Sequence, residues 1–206
     1  MLEPSKLKVP EHFLEMIAKS AKGDGRIIEA FRTVPREFFM DEAMRRASYV
    51  DSAQPIGYKQ TISQPSLVAM MLKELDTAEH HNCLEIGAGS GFVTALLAKL
   101  VDEVWALEYL PPLAETARTR MRKLKLLNTH IITGDGSKGY AEKAPYDRIL
   151  VSAGAAKTPD TLVAQLKIGG IMLIPVNGRL LKINKGENGL TEKDLAGVSF
   201  VDFVNS

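Results

Sequence analysis

The stretch Cys83-Leu84-Glu85-Ile86-Gly87-Ala88-Gly89-Ser90-Gly91 determines the predicted fold. It is a short, mostly apolar run that leads directly into three closely spaced glycines, and a helical pattern begins at Phe92. A strand that reverses sharply into a helix is typical of open α/β sheets, which bind ligands at the carboxyl ends of their strands. Glycines at such a turn let a ligand approach the backbone and permit positive φ angles.

Downstream of this turn, short apolar runs alternate with helical stretches, which predicts a mostly parallel sheet covered on both faces. The predicted strands are Cys83–Ile86, Val104–Leu107, His130–Thr133, Arg148–Ser152 and Ile171–Val176, and the predicted helices are Phe92–Leu100, Leu113–Leu124 and Thr158–Leu166. Leu180–Ile183 and Val198–Val204 predict an antiparallel pair at the edge of the sheet. The fold class is therefore a doubly wound α/β sheet.

The chain upstream of residue 82 has a different character, with helical spacing in its first part and few regular patterns later. Phe13, Leu14 and Ile17 recur at helical spacing, and the pattern is broken at Lys22-Gly23-Asp24-Gly25. Residues 49–64 predict an ordered loop, and long loops are often functional. Pro65 predicts the first turn of a helix. We expect one domain over residues 1–206, with a helical and loop-rich region over 1–81 and an α/β core over 82–206.

Composition narrows the classes of partner. The 206 residues carry 26 Lys and Arg against 25 Asp and Glu, a formal net charge of +1. Such a balance supplies no long-range field for nucleic acid or an anionic membrane, and both are disfavoured as partners. The single cysteine, Cys83, cannot form an internal disulfide and is expected to be buried. No run is long and apolar enough for a membrane span, and the sequence predicts a cytoplasmic location.

Acidic residues follow the predicted strands on the ligand side. The glycine spacing is G-x-G-x-G, with Phe92 where a dinucleotide-binding fingerprint would have its third glycine. Glu108 ends the next strand, where a carboxylate can accept hydrogen bonds from both hydroxyls of a ribose. Glu85 suits a cationic ligand better than a pyrophosphate, and Asp135 could bind an adenine amino group. These features favour S-adenosylmethionine, a sulfonium cation with an ammonium group, as the ligand.

Several segments resemble the protein-L-isoaspartate O-methyltransferases, a family that repairs isomerised Asp and Asn residues. The similar segments are Val34-Pro35-Arg36, Pro55-Ile56-Gly57, Gln60-Thr61-Ile62-Ser63-Gln64-Pro65, Leu84 to Gly91, Gly134-Asp135-Gly136, Ala144-Pro145-Tyr146-Asp147, Gln165 to Gly170 and Ile174-Pro175-Val176. The glycine turn is common among methyltransferases, whereas Thr-Ile-Ser-Gln-Pro is specific to this family. The resemblance therefore covers most of the chain.

The resemblance implies an S-adenosylmethionine-dependent protein-L-isoaspartate (D-aspartate) O-methyltransferase that yields S-adenosylhomocysteine. It implies a seven-stranded Rossmann-like methyltransferase sheet whose last two strands are exchanged relative to the common order, with an added helical amino-terminal region. Ser63 matches the family's active-site serine. The donor-binding residues would be Gln60, Thr61, Ser63, Glu85, Gly87, Gly89, Gly91, Glu108, Asp135 and Gly136, and the substrate-binding residues Pro55, Ile56, Gly57 and Val176. The expected partners are isoaspartyl proteins and peptides, bound by a monomer that needs no metal.

Departures from the family pattern leave alternatives open. Lys59 occupies a position that is usually glycine, and Val176 is followed by Asn177-Gly178-Arg179 without the usual glutamine. These changes would fit a redirected acceptor, RNA or a small molecule, or a donor-binding module without catalysis. A carboxylate acceptor needs no general base, because its reference pKa of about 3.9 keeps it ionised at neutral pH. His80 and His81 are expected on the solvated surface and without a third metal ligand.

Overall fold

The computed structural model describes residues 3–203. In chain order, its helices are α1 Glu11–Ser20, α2 Gly25–Thr33, α3 Pro65–Leu75, α4 Phe92–Leu97, α5 Pro111–Leu124 and α6 Asp160–Gln165. Its strands are β1 Gln54–Gly57, β2 Gln60–Ile62, β3 Asn82–Ile86, β4 Glu103–Glu108, β5 Thr129–Thr133, β6 Tyr146–Val151, β7 Leu166–Val176, β8 Arg179–Gly186 and β9 Gly189–Gly197. Short 3-10 turns occur at Pro4–Lys6, Arg36–Phe39, Glu42–Ala47, Gly136–Lys138 and Ala141–Lys143.

Seven strands form one sheet in the order β5-β4-β3-β6-β7-β8-β9. Pairing is parallel from β5 to β7, and β8 and β9 add outward as antiparallel strands. The chain leaves β3 toward β4 on one side and returns to β6 on the other, which opens a crevice at the carboxyl end of β3. This architecture confirms the predicted mostly parallel, doubly wound sheet.

Side chains alternate between the two faces of the sheet. Cys83 packs into a core shared with helices α1 to α5, whereas Leu84 and Ile86 join a second core that includes Leu162 of α6. Phe92, the first residue of α4, packs in the first core at the glycine turn. The amino-terminal helices therefore lie directly against the turn that bounds the ligand crevice.

Aromatic contacts tie the amino-terminal region to that turn. The ring of Phe92 lies 5.8 Å from that of Phe31 in α2 and 5.4 Å from that of Phe39, both edge-on. All three side chains are nearly inaccessible to solvent. Because interiors are close-packed, a shift of the amino-terminal helices would be transmitted to the start of α4.

Two predictions about secondary structure were wrong. The presumed loop of residues 49–64 contains the antiparallel hairpin β1-β2. The last strand is Gly189–Gly197 and not Val198–Val204, and Val204 lies outside the described residues. Most of β9 is exposed at this edge position, so its sequence lacks the alternation that marks a half-buried strand.

Residues 198–203 instead run across the carboxyl edge of the sheet. Gly154 donates its N–H to the carbonyl of Val201 at 2.8 Å, and Phe203 donates its N–H to the carbonyl of Gly154 at the same distance. The close approach depends on the absence of a side chain at Gly154, because a Cβ there would lie only 2.8 Å from a carboxylate oxygen of Asp202. We call residues 198–203 the tail segment.

The start of α3 is capped by a residue distant in sequence. Ser63 lies just before this helix, but the N-cap position is Gln64, whose side chain makes no capping bond. Asp51 supplies the cap, since one of its oxygens accepts the N–H of Ser66 at 2.9 Å. Its other oxygen accepts the Gln64 side-chain amide at 3.0 Å. The capping role therefore leaves the Ser63 hydroxyl free for other contacts.

Burial of single residues gives a mixed outcome. Cys83 is fully buried, as predicted, and its burial raises the thiol pKa. The prediction for His81 was wrong: the ring is buried, and its Nδ1 accepts the Ala78 N–H at 2.9 Å, which folds the turn before β3. His80 is exposed. Within residues 3–203, no helix combines the length and apolar character that crossing a bilayer requires.

Candidate functional site

A cleft opens at the carboxyl ends of β3, β4 and β6, where the topology reverses. Its volume is about 700 Å³ when the solvent at its mouth is included. The lining residues come from the hairpin, the strand ends and the tail segment: Gln60, Thr61, Ser63, Ile86, Gly87, Gly89, Leu107, Glu108, Tyr109, Leu110, Gly136, Ser152, Ala153, Phe200, Val201, Asp202 and Phe203. Seven of the ten residues predicted to bind the donor are among them.

The glycine turn adopts the conformations that its sequence predicts. Gly87, Gly89 and Gly91 all have positive φ, between +53° and +86°. Gly87 and Gly89 line the cleft, whereas Gly91 begins α4 and faces α5. A Cβ on Gly91 would lie 3.0 Å from Met121 and 3.2 Å from Ala117. The structure thus places Gly91 as the residue that lets the two helices pack closely, and not in the cleft wall.

Glu108 is held by the backbone of the turn. One carboxylate oxygen accepts the Gly89 N–H at 2.7 Å, and the other accepts the Leu110 N–H at 2.9 Å. The side chain is 6% exposed and lines the cleft. Each carboxylate oxygen can accept more than one hydrogen bond, so both remain able to receive a hydroxyl. The arrangement fits the paired hydroxyls of a ribose.

Glu85 lies beneath the turn rather than in the main cleft. It is 0% exposed, and it lines a smaller space that it shares with Thr61, Ser63 and Ser152. One oxygen accepts the Thr94 hydroxyl, while Oε1 has no hydrogen-bond partner among the described residues. Burial, reinforced by the nearby Glu108, raises the pKa of Glu85 to about 8 despite the Thr94 hydrogen bond.

The buried, unpaired oxygen of Glu85 lies beside the cleft. A cationic ligand that donates hydrogen bonds would satisfy it. Leaving such a group unpaired costs about 1–3 kcal/mol or more. An ammonium group offers both charge and three N–H donors. Glu85 and Glu108 together therefore fit a ligand that carries an ammonium group and a ribose.

Asp135 and Gly136 lie at the end of β5. Asp135 accepts the N–H and the hydroxyl of Ser137, at 3.0 and 2.7 Å, and these bonds lower its pKa. It is the N-cap of a 3-10 turn and does not line the cleft. Gly136 does line the cleft, and a Cβ there would lie 2.4 Å from the Ile86 side chain. The structure therefore brings Gly136, and not the side chain of Asp135, into the wall of the cleft.

Ser63 occupies the junction of the cleft with a second one. The second cleft is lined by Ser20, Ala53, Thr61, Ser63, Gln64, Ser66, Leu67, Met70, Gly197, Val198, Ser199 and Phe200. Thr61, Ser63 and Phe200 line both spaces, and the Ser63 hydroxyl makes no hydrogen bond to any residue between 3 and 203. None of the residues that line the second cleft is charged.

The residues predicted to bind the substrate are placed around these clefts and not inside them. Pro55 and Gly57 are exposed on β1, while Ile56 is buried with its side chain against Gly89. Val176 pairs with Arg179 in the turn between β7 and β8 and bridges to Ala155. The structure does not bring these four residues into the cleft wall.

The two departures from the family pattern lie in tight turns. Tyr58 and Lys59 form the tip of the β1-β2 hairpin, and both have positive φ, 52° and 58°. Lys59 thus keeps a left-handed backbone that glycine would adopt without steric cost. Asn177 and Gly178 form a two-residue turn with positive φ, which is the Asn-Gly pattern of tight hairpins. Neither turn lines the main cleft.

Sequence reasoning missed the contribution of the tail segment. Phe200, Val201, Asp202 and Phe203 all line the main cleft. Their apolar pattern was interpreted as an edge strand, and only the bridge to Gly154 places them over the site. Tyr109 and Leu110 were also missed, although their position directly after Glu108 is a usable signal. In residues 3–203, no group of three or more His, Cys, Asp or Glu side chains is arranged to hold a metal ion.

Comparison with known proteins identifies relatives of this chain. Residues 10–206 match the family model described as protein-L-isoaspartate(D-aspartate) O-methyltransferase. A protein-L-isoaspartate O-methyltransferase of Trichlorobacter lovleyi is 47% identical over 87% of this chain and 85% of its own length. One of Ignicoccus hospitalis is 41% identical over 96% of this chain and 97% of its own length.

Solved structures agree with the fold. A protein-L-isoaspartate O-methyltransferase superposes with a TM-score of 0.86 and 27% identity, covering 95% of this chain and 66% of the other. A structure from Plasmodium falciparum, described as a putative enzyme of the same kind in complex with S-adenosyl-L-homocysteine, gives a TM-score of 0.82 and 25% identity. It covers 95% of this chain and 98% of the other. The resemblance inferred from the sequence is confirmed.

Proposed function

The chain belongs to the protein-L-isoaspartate(D-aspartate) O-methyltransferase family, and we propose that it repairs damaged proteins by methylating the free carboxylate of L-isoaspartyl residues. S-adenosylmethionine supplies the methyl group as a sulfonium cation. The observation that carries the site assignment is the position of Ser63, which lines both the main cleft and the uncharged second cleft. A donor in the first cleft and a peptide in the second would meet at this serine.

We propose that the main cleft, together with the smaller space beneath the turn, holds the donor through Glu85, Glu108 and the glycine turn. Glu85 would receive the ammonium group at its unpaired oxygen, and Glu108 the ribose hydroxyls. Gly87 and Gly89 leave room for the ligand beside the backbone. Gln60 and Thr61 would contact the donor from the hairpin side. The apolar side chains Ile86, Leu107 and Phe203 suit an adenine ring near Gly136.

The proposed methyl transfer requires alignment of the reacting atoms but no general base. An isoaspartyl carboxylate is ionised at neutral pH and is already a nucleophile. Ser63 would donate a hydrogen bond to one carboxylate oxygen and so aim the other at the methyl carbon. As the methyl is transferred, the negative charge of the acceptor and the positive charge of the sulfonium disappear together. Exclusion of water therefore favours the reaction, and the apolar part of the cleft wall assists.

The lining of the second cleft supports a peptide acceptor of varied sequence. It offers the small polar groups of Ser20, Ser66 and Ser199 and the apolar surfaces of Leu67 and Met70. Without charged lining residues, the cleft does not select the charge of neighbouring side chains in the peptide. We propose that Pro55, Ile56 and Gly57 shape the loop above this cleft, and that Val176, which lies outside its wall, contributes its backbone to substrate binding.

The proposal also covers the roles of the two chain regions, the oligomeric state, the location and the partners. Residues 1–81 would cover the substrate, and residues 82–206 would hold the donor, within one domain. We propose that the protein acts as a monomer in the cytoplasm, without a metal, on isoaspartyl proteins and peptides rather than on nucleic acid or membranes. The near-zero net charge supports this choice of partners.

The decisive experiment compares two peptides that differ only at one linkage. The protein is incubated with methyl-labelled S-adenosylmethionine and a peptide with L-isoaspartate or L-aspartate at the same position, and donor binding is measured by calorimetry. We expect label on the isoaspartyl peptide alone, released as methanol in mild alkali because a carboxyl methyl ester is base-labile. Donor binding without label on the isoaspartyl peptide would contradict the proposal. Alkali-stable label on RNA or a small amine would point to a redirected acceptor.

A further inference from the structure

Arg36 is a buried, charged residue that lines neither of the two clefts. It belongs to the Val34-Pro35-Arg36 segment and is 0% exposed. No carboxylate lies within ion-pair distance of it among residues 3–203. Burial lowers the pKa of Arg36 to about 10, with Asp51 and Tyr49 opposing the shift, so the side chain stays charged at neutral pH. Buried ions are retained where hydrogen bonds compensate the loss of water.

The compensation comes from backbone carbonyls on both arms of one chain segment. On the entering arm, Arg36 donates to the carbonyl of Ser48 at 2.7 Å and to that of Ser52 at 3.2 Å. On the leaving arm, it donates to the carbonyl of Ile62 at 3.4 Å and to that of Ser63 at 3.0 Å. The guanidinium also lies 6.0 Å from the centre of the Phe92 ring, the first residue after the glycine turn.

The segment between these contacts, residues 48–63, is the hairpin segment. It carries the β1-β2 hairpin and ends at Ser63, and its entering arm is also held at the start of α3 by Asp51, which accepts the Ser66 N–H. A planar guanidinium offers five N–H donors in a fixed arrangement, which suits several carbonyls better than the single ammonium of lysine. The Arg36 side chain thus links both arms of the hairpin segment and holds the backbone of Ser63 near the glycine turn.

We propose that Arg36 is a positioning residue for methyl transfer, which fixes the backbone of Ser63 and the hairpin segment against the donor cleft. The inference rests on the proposed role of Ser63 at the junction of the two clefts. Arg36 does not line either cleft, so it acts through the backbone it holds and not by touching the substrate. Reactions that depend on alignment lose about a hundredfold in rate for a misplacement of about 1 Å.

The chain offers a matched control for Arg36. Arg148 in β6 is likewise buried and donates to backbone carbonyls, through Nε and Nη2 to Asp76 and through Nη1 to Asp147. These contacts lie at the amino-terminal edge of the sheet, away from both clefts. Arg36→Lys and Arg148→Lys therefore remove the same chemical group from places with different relations to the site.

The first readout is hydrogen exchange of the backbone, which needs no activity. Arg36→Lys should speed exchange at residues 48–63 and leave β3 and β4 protected, whereas Arg148→Lys should act near Asp76 only. Unchanged exchange at residues 48–63 in Arg36→Lys would overturn the inference. This outcome is independent of whether the wild-type protein methylates an isoaspartyl peptide, so the two proposals can fail separately.

The second readout is a kinetic cycle with Ser63→Ala. Arg36→Lys should lower kcat for the isoaspartyl peptide by about tenfold to a hundredfold, weaken donor binding by a smaller factor because Gln60 and Thr61 belong to the same segment, and show a smaller effect on kcat when Ser63→Ala is already present. If Arg148→Lys lowers the melting temperature as much as Arg36→Lys does, it should still keep the wild-type kcat. Additive losses with Ser63→Ala, or an equal loss in Arg148→Lys, would mean that Arg36 supports stability only and would refute the positioning role.

Discussion

Donor binding should release a proton from Glu85. The carboxyl is fully buried, one oxygen is unpaired in the described part of the chain, and its pKa is about 8. At pH 6 to 7 the carboxyl is therefore mostly protonated before the donor arrives. An ammonium group at Oε1 favours the ionised form, so binding must expel the proton. The donor's own α-amino group, with a pKa of about 7.7–8.0, stays charged across this range.

The expected change in the donor Kd with pH follows from the ionised fraction of Glu85. With a pKa of about 8, the ionised fraction of Glu85 is about 1% at pH 6 and about 9% at pH 7. A ligand that binds only the ionised form has its apparent Kd divided by that fraction. The donor Kd should thus fall by nearly tenfold, about 1.4 kcal/mol, between pH 6 and pH 7. No histidine is among the described residues that line the main cleft or the smaller space beneath the turn, and the pKa of about 8 places the titration of Glu85 in this window.

Calorimetry in two buffers of different ionisation enthalpy measures both quantities. At pH 6.5 the observed binding heat should differ between buffers by the equivalent of almost one released proton. Glu85→Gln should abolish the buffer difference and flatten the Kd between pH 6 and pH 7. Asp135→Asn is the control, because the Asp135 carboxyl has a lowered pKa and is ionised throughout. A wild-type Kd that does not change over this unit of pH would refute the assignment of Glu85 to the ammonium group.

The same group affects stability without the donor. The pKa of Glu85 is raised above its value of about 4.3 in an unfolded chain, so the folded state holds a proton that the unfolded state has lost. Stability should therefore decrease as the pH rises from about 4.5 to about 8, with a slope near 1.4 kcal/mol per pH unit from this group. In Glu85→Gln that component should be missing from the chemical denaturation profile, and its persistence there would place it on another residue.

Three further substitutions and one labelling test have defined outcomes. Ser63→Ala should lower kcat by about tenfold to a hundredfold, the value of one hydrogen bond to a charged group, with the donor Kd within about twofold; a large change in donor Kd instead would assign Ser63 to the donor. Glu108→Gln should weaken donor binding by about tenfold or more in calorimetry, because the NH2 of its amide would oppose one of the two backbone N–H donors, and unchanged binding would exclude the ribose contact. Gly154→Val should push Asp202 and the tail segment off the cleft and weaken donor binding by about fivefold, the value of one lost aromatic contact, whereas full affinity would show that the tail segment is dispensable. Cys83 should resist a thiol reagent in the native protein and react once the chain is unfolded, and rapid native labelling would contradict its burial.

The central strands could be predicted because they are buried on both faces. Continuous apolar runs such as Leu150-Val151 have no other stable place in a domain of this size, and the glycines after Ile86 mark where the first strand must turn. Acidic residues at the strand ends then pointed to the ligand edge. Glu85 and Glu108 were both located correctly relative to the turn, although the depth of Glu85 could be seen only in three dimensions.

The missed elements have weak local signals. The turn of the β1-β2 hairpin is made by Tyr58 and Lys59, neither of which is among the residues that normally mark a left-handed turn. In β9 nearly every side chain is exposed, so no period appears in its hydropathy. The tail segment is held by pairing with Gly154, a contact between positions almost fifty apart, and no local pattern encodes it.

Arg36 shows a different limit of sequence reasoning. An arginine after Val-Pro reads as a surface residue, since charged side chains are seldom fully buried without a partner. Here the partner is a set of four carbonyls that face inward because both arms of the hairpin segment turn over the same point. Backbone acceptors leave no signature in residue types, so neither the burial nor the positioning role could be inferred from composition or spacing.

In the proposed site a serine, and not an arginine or lysine, meets the acceptor, and the placement of charge accounts for this choice. A cation in contact with the acceptor carboxylate would bind the substrate tightly but would lose that attraction as the ester forms, so it would stabilise the ground state more than the transition state. Ser63 offers a neutral hydrogen bond that survives the loss of charge. The carboxylates of Glu85 and Glu108 lie on the donor side, and the Nη1 and Nη2 groups of Arg36 donate to backbone carbonyls, that of Ser63 included. The site thus aligns the acceptor without an ion pair that transfer would have to break.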